Sequence, residues 1–188
     1  MPGDHLIRVV NKDRVVEAEL LNPCATIPVL EIDGMRLTES LAIIEYLDET
    51  RDGLRLISEN PVRRARERAP ALIIAANIHP LGNLSTLNRI AELGGEAEKV
   101  KWAQHYITRG LRAFKATLNE SPKTRFCAGD TPKLADICLI PQLYNAVRWG
   151  VDLSALPHCE EIRAAFSDFP GYHDAHPYRF APYVGAGP

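Results

Sequence analysis

Residues 21–50 read LNPCATIPVLEIDGMRLTESLAIIEYLDET, and the reading of this stretch decides the fold. Two short apolar runs, PVLEI at 28–32 and MRL at 35–37, flank Asp33-Gly34, a dipeptide that favours the left-handed conformations of a tight hairpin turn. From Thr38 the pattern changes. Leu41, Ile44 and Leu47 recur at helical spacing behind a Thr/Ser start, which predicts an amphipathic helix. Upstream, HLIRVV at 5–10 predicts another strand, so the first fifty residues are mixed α and β.

Beyond Gly53 the strand signals fade and helical periods dominate. Asn60-Pro61 predicts a helix start, with asparagine as the capping residue and proline in the first turn. The helix it opens runs through residues 62–93, interrupted by Pro70 and Pro80, and a kink or break is expected at each. Val100, Ala103, Ile107, Leu111, Phe114 and Leu118 form one apolar stripe of a further helix. The run at roughly 133–149 is so apolar that it predicts a buried central helix. A shorter helix is expected at about 154–167, followed by an irregular tail rich in proline, glycine and aromatic residues. The fold class is therefore α+β: a small α/β domain over residues 1–52, then an all-α domain over residues 53–188.

Composition bounds the function. The 188 residues are 46% hydrophobic and 24% charged, with a net charge of −2, the balance of a globular domain and no electrostatic footprint for nucleic acid or an anionic membrane surface. Cys24, Cys127, Cys138 and Cys159 are widely spaced, without a CxxC pair or zinc-ligand spacing. They are expected as free thiols of a reducing compartment, and no metal site is predicted. The first twenty residues hold no long apolar run, so neither a secretory signal nor a membrane anchor is expected and the cytoplasm is the default.

Three runs carry a family resemblance: residues 21–50, IHPLGNL at 78–84, and RFCAGDTPKLADICLIPQLYNAVRWGVDL at 125–153. In order and spacing they resemble the zeta class of glutathione transferases, whose main members are maleylacetoacetate isomerases. The likeness runs from about residue 5 to about residue 178. It implies a thioredoxin-like N-terminal domain that holds glutathione, a helical C-terminal domain that shapes the substrate pocket, and a homodimer. The reaction implied is glutathione-dependent cis–trans isomerisation of maleylacetoacetate, a dicarboxylic diketo acid of tyrosine and phenylalanine catabolism. The family pattern begins with a strand and helix bearing a Ser-Ser-Cys-Ser-Trp type motif, and Met1 here stands near the start of the family's second strand. No Ser-Ser-Cys run occurs in the sequence, so no catalytic residue is assigned. On this reading the thioredoxin-like domain is truncated, and an uncovered sheet edge is open to pairing with another copy. The alternative to a working isomerase is a glutathione transferase-like binding or structural protein with impaired catalysis.

The resemblance carries site roles to individual residues, each with a plainer alternative. Ile27-Pro28 matches a Val-Pro whose proline is cis and whose preceding backbone pairs with glutathione; read alone, an X-Pro bond at a strand start is usually trans. Glu39 and Ser40 open a helix whose free N–H groups suit the γ-glutamyl carboxylate; alternatively, Thr38 and Ser40 are simple caps. His79 and Asn83 match a segment facing the active-site cleft and would share a face on an unbroken helix, or His79 merely fills space. Arg148 matches an arginine that binds a substrate carboxylate, for which a planar guanidinium suits; its alternative is an ion pair at a helix C-terminus. Cys24 reads as an ordinary loop cysteine, with no basic neighbour in sequence to activate it. Lys133 stands where the family has a Ser or Thr cap, so Asp130 or Thr131 is expected to cap the buried helix instead.

Overall fold

The computed structural model describes residues 6–8, 22–24, 26–120 and 122–176. Two compact units divide between Arg55 and Leu56. In the first, β1 (Leu6–Arg8), β2 (Val29–Ile32) and β3 (Met35–Thr38) form an antiparallel sheet in that order, and α1 (Ser40–Thr50) follows. The turn between β2 and β3 is the predicted one: Ile32 pairs with Met35, and Asp33 and Gly34 take φ of 51° and 73°. Two positive φ values mark the two-residue turn whose twist matches that of the flanking strands. Leu30, Ile32 and Ile43 form the core of this unit, with Leu37, Tyr46 and Leu47 packed against it. The buried face of α1 thus centres on Ile43; of the predicted Leu41, Ile44 and Leu47 stripe, Leu47 packs against the core and Leu41 and Ile44 are half-buried. Asp33 fastens the helix to the turn, accepting hydrogen bonds from the Tyr46 hydroxyl and the Arg51 guanidinium.

The family's first strand, absent from the sequence, leaves open how the sheet is completed. Here β1 lies directly against β2, antiparallel, with Ile7 opposite Leu30.

The second unit contains α2 (Pro61–Asn77), a 3-10 turn (His79–Gly82), α3 (Leu84–Gly94), α4 (Glu96–Leu118), α5 (Leu134–Arg148), α6 (Pro157–Phe166) and α7 (Pro170–Ala175). Asn60 caps α2 as its sequence predicts, its side-chain oxygen accepting from the N–H groups of Val62 and Arg63. Pro80 breaks the helical run, but Pro70 does not: α2 is continuous through it. Pro70 is buried beside Ala71 and Ile74, and that burial offsets the donor its ring removes. Of the predicted α4 stripe, Ala103, Ile107, Leu111, Phe114 and Leu118 are buried. Gly110 joins them because α4 approaches the end of α2 so closely that a Cβ would lie 2.3 Å from Cγ1 of Ile78. Part of the tail expected to be irregular, residues 170–175, forms α7, which starts on a proline, and Tyr172 packs near the Phe166 ring; residues 177–188 of that tail lie outside the described residues.

The apolar run at 134–148 is the central helix, with Leu134, Ala135, Asp136, Cys138, Leu139, Gln142, Leu143 and Ala146 buried. It packs chiefly on α2 and also touches α4 and α6. Its N-cap is Lys133 itself, not Asp130 or Thr131. The capping is supplied from inside the helix: Asp136 accepts from the N–H of Lys133 at 2.8 Å through one oxygen and from the N–H of Cys127 at 2.8 Å through the other. A fully buried carboxylate thus satisfies two backbone donors that water cannot reach. Among the described residues no helix is long and apolar enough to cross a membrane.

Replacing Asp136 by Ala orphans both donors and is expected to lower stability by about 2–4 kcal/mol, with Asn, which keeps one acceptor oxygen, between the two. Urea unfolding curves for the three proteins check this order.

Candidate functional site

In the first unit the register assembles the predicted residues. Val29 pairs with Thr38, so the segment entering β2, Ile27-Pro28, and the segment leaving β3, Glu39-Ser40, emerge side by side at one end of the hairpin. The Ile27-Pro28 bond is cis. Ile27 is exposed, and among the described residues nothing hydrogen-bonds its backbone. The loop before it is built by a residue the sequence reading passed over. Asn22, buried, donates through Nδ2 to the Thr26 carbonyl at 2.9 Å and to the Thr26 hydroxyl at 3.0 Å, and accepts from Cys24 N–H at 3.0 Å. The Asn-Pro dipeptide at 22–23 is the signal that marks such a side-chain-directed turn.

Glu39 is the N-cap of α1, with φ 68° and ψ 116° and no side-chain capping bond. Neither Thr38 nor Ser40 holds that position, so the plain capping alternative fails. A glutamate at positive φ outside the left-handed helical well is strained by about 1–3 kcal/mol. Such strain persists only where the surroundings impose it, here the turn-to-helix clamp of Asp33 on Tyr46 and Arg51. The result is a helix mouth whose first N–H groups lack a side-chain acceptor and whose Glu39 and Ser40 side chains have no partner among the described residues. Backbone donors converging there, with the partial positive charge of a helix start, can receive a carboxylate.

In the second unit the predicted residues fall on three elements. His79 begins the 3-10 turn and is half-buried; Asn83, exposed, is the N-cap of α3 without a side-chain capping bond. The break at Pro80 therefore separates two residues that an unbroken helix would have set on one face. Arg148 ends α5, exposed, and among the described residues no carboxylate pairs with it, so the plain ion-pair alternative is not realised. Among the described residues of this unit, hollows open at two places on α4. One of about 420 Å³ lies between α2 and α4 around Ile73, Ala76, Pro80 and Tyr106, and a shallower one of about 610 Å³ lies along the outward side of α4 among Lys101, His105, Arg109 and Arg112. Neither is lined by His79, Asn83 or Arg148.

The thiols offer no nucleophile within the helical unit. Burial pushes the Cys127 thiol far up, Cys138 to about 12 and Cys159 to about 11, so all three stay protonated near neutrality. Cys24 is exposed and free. Among the described residues no group of three or more His, Cys, Asp or Glu side chains is placed to hold a metal ion.

Burial also holds the His79 imidazole below its ordinary value of 6.5. Its protonation then favours the unfolded chain: its contribution to stability is full above 6.5 and is lost as pH falls through the depressed folded-state value. An NMR titration of His79 should give a midpoint below 6.5, and His79→Gln should flatten the loss of stability between about pH 7 and about pH 5.

The family model described as "Glutathione S-transferase, N-terminal domain" matches residues 4–55. The chain is 47% identical over 163 residues to maleylacetoacetate isomerase of Rhizobium meliloti (strain 1021), covering 86% of this chain and 76% of the relative. Among solved structures, maleylacetoacetate isomerase from Methylobacterium extorquens AM1, with bound malonate and glutathione, superposes with a TM-score of 0.84 at 31% identity over 92% of this chain and 84% of that one. A maleylpyruvate isomerase, described as a bacterial glutathione S-transferase in zeta class, gives a TM-score of 0.83 at 34% identity over 88% and 81%. With likeness of this degree running along most of each relative, the chain belongs to the maleylacetoacetate isomerase family, in the zeta class of glutathione transferases.

Proposed function

We propose that the chain binds glutathione on its first unit and isomerises maleylacetoacetate to fumarylacetoacetate, acting in tyrosine and phenylalanine breakdown as a cytoplasmic homodimer. The observation that carries this reading is the hairpin register, which brings the free backbone of Ile27 and the uncapped mouth of α1 together. Relatives named for the same reaction support it.

The residues present fit a tripeptide thiol with an extended backbone and terminal carboxylates. Ile27 offers its N–H and carbonyl for strand-like pairing beside Pro28. The mouth of α1, with the Ser40 hydroxyl, offers donors to a carboxylate. The Glu39 side chain offers acceptor oxygens to an ammonium group. Glutathione, when bound, supplies a thiol that adds reversibly to the activated double bond of the substrate and is returned unchanged when the bond re-forms after rotation. Arg148 holds a substrate carboxylate through paired N–H donors, with His79 and Asn83 lining the same substrate. His79, neutral near pH 7, presents a hydrogen-bonding ring without adding charge. No described residue is assigned to thiolate activation.

Calorimetric titration with glutathione followed by an isomerase assay tests the proposal. Binding with turnover is expected. Binding without turnover replaces it with a glutathione-binding protein of the same fold, and the absence of both overturns it. Arg148→Ala should raise KM for maleylacetoacetate roughly 10- to 100-fold, the loss of one charge-assisted pair. Glu39→Gly should relieve the positive-φ strain and raise stability by about 1 kcal/mol, while weakening glutathione binding several-fold. Thermal unfolding and the same titration read both effects.

A further inference from the structure

Arg148 stands at a helix end that is closed on every side but one. The N–H of Val151 reaches back to the carbonyl of Ala146 at 2.9 Å and that of Gly150 to Val147 at 2.9 Å, while Trp149 N–H bonds Asn145 at 3.0 Å. With Gly150 at φ 69°, this is the paired closure that glycine permits after a helix. It satisfies the carbonyls before Arg148. The carbonyl of Trp149, the cap residue itself, points out of the helix and needs a partner from elsewhere.

Gln104 supplies it. From the middle of α4, 45 residues away in sequence, its Nε2 donates to the Trp149 carbonyl at 2.9 Å. The same amide lies against the next residue, since a Cβ on Gly150 would sit 3.5 Å from Gln104 Nε2. Gln104 is held in turn, because the preceding Ala103 is buried in the α4 stripe. The buried Ala146 on one side and the buried Trp149 on the other then leave the Arg148 backbone little freedom. Its side chain, by contrast, is exposed.

We propose that Gln104 is a positioning residue for substrate binding: it locks the end of α5 to α4 so that the Arg148 guanidinium meets the substrate carboxylate pre-aligned. The inference rests on the role given to Arg148 above. A planar guanidinium gains its advantage over a point charge only when both N–H donors meet both oxygens. That geometry tolerates displacements well under 1 Å to about 1 Å before affinity falls. Without the Gln104 bond the helix closure survives but its end is free to pivot on α4, and the unpaired carbonyl draws water into the gap. Gln104 touches no substrate on this account and acts wholly through Arg148.

A double-mutant cycle tests it, read by calorimetric titration of maleate in saturating glutathione and by KM and kcat for maleylacetoacetate. Gln104→Leu should weaken maleate binding and raise KM roughly 3- to 10-fold, with kcat changed by less than about twofold. Arg148→Ala should weaken binding more, and Gln104→Leu placed on Arg148→Ala should add nothing beyond about twofold. Glutathione affinity, a property of the first unit, should be unchanged, and the far-ultraviolet circular dichroism and thermal unfolding of the helical unit verify that each variant is folded. Gln104→Met, equal in length and lacking the donor, replaces the leucine variant if that one fails to fold. If Arg148→Ala weakens binding but neither Gln104 variant does, or if the Gln104 effect persists in the Arg148→Ala background, the positioning role is overturned and the role of Arg148 stands. If Arg148→Ala itself leaves maleate binding unchanged, the role of Arg148 falls and the positioning inference with it.

Discussion

The buried carboxylate of Asp136 is the constraint on which the helical unit rests. The first turn of a helix has donors without acceptors, and α5 begins in the interior, where water cannot serve. By taking the N–H groups of Lys133 and Cys127 on separate oxygens, Asp136 lets that helix start inside the core and draws the preceding loop against it. The loop closes on itself through the bridge between Phe126 and Gly129, and the Phe126 ring meets Phe166 edge-on at 5.5 Å. One carboxylate therefore couples the start of α5 to α6. The far end of α5 needs no such device, because Gly150 and Gln104 close it from outside.

The first unit depends on a different constraint, the two-residue turn at Asp33-Gly34. Its length leaves one register for β2 against β3, and that register alone decides that Pro28 and Glu39 are neighbours. Asp33 then serves twice, turning the chain by its backbone and anchoring Tyr46 and Arg51 by its side chain. The strained Glu39 conformation lies between these two fixed points. A distortion at the mouth of α1 is thus maintained by contacts that do not themselves form the mouth.

How far the structure was legible in the residues depends on the range of the interaction. The hairpin, the Asn60 cap, the α4 stripe and the extent of α5 rest on near neighbours, and each is visible in its own segment. The cap of α5 was not, since Lys133 occupies the place and the acceptor lies three residues inside. No break follows Pro70, because a proline's cost is local while its compensation, burial in the helical unit, is not. The direct pairing of β1 with β2 lies beyond periodicity altogether. Of the candidate site, Ile27, Pro28, Glu39 and Ser40 were named through motif likeness, and the register that sets them side by side was itself predictable. Asn22 had a dipeptide signal that went unused. Gln104 had none: no local pattern marks a glutamine whose only role is a carbonyl 45 residues away.

The contact between Gly110 and Ile78 links two properties that are ordinarily adjusted separately. Ile78 is the last residue before the 3-10 turn, so the spacing of α2 from α4 and the placement of His79 are one mechanical variable. Any side chain at 110 would wedge the helices apart and carry the turn with it. Redesign of this turn for a bulkier ligand must therefore begin by trimming Ile78, with the glycine left alone.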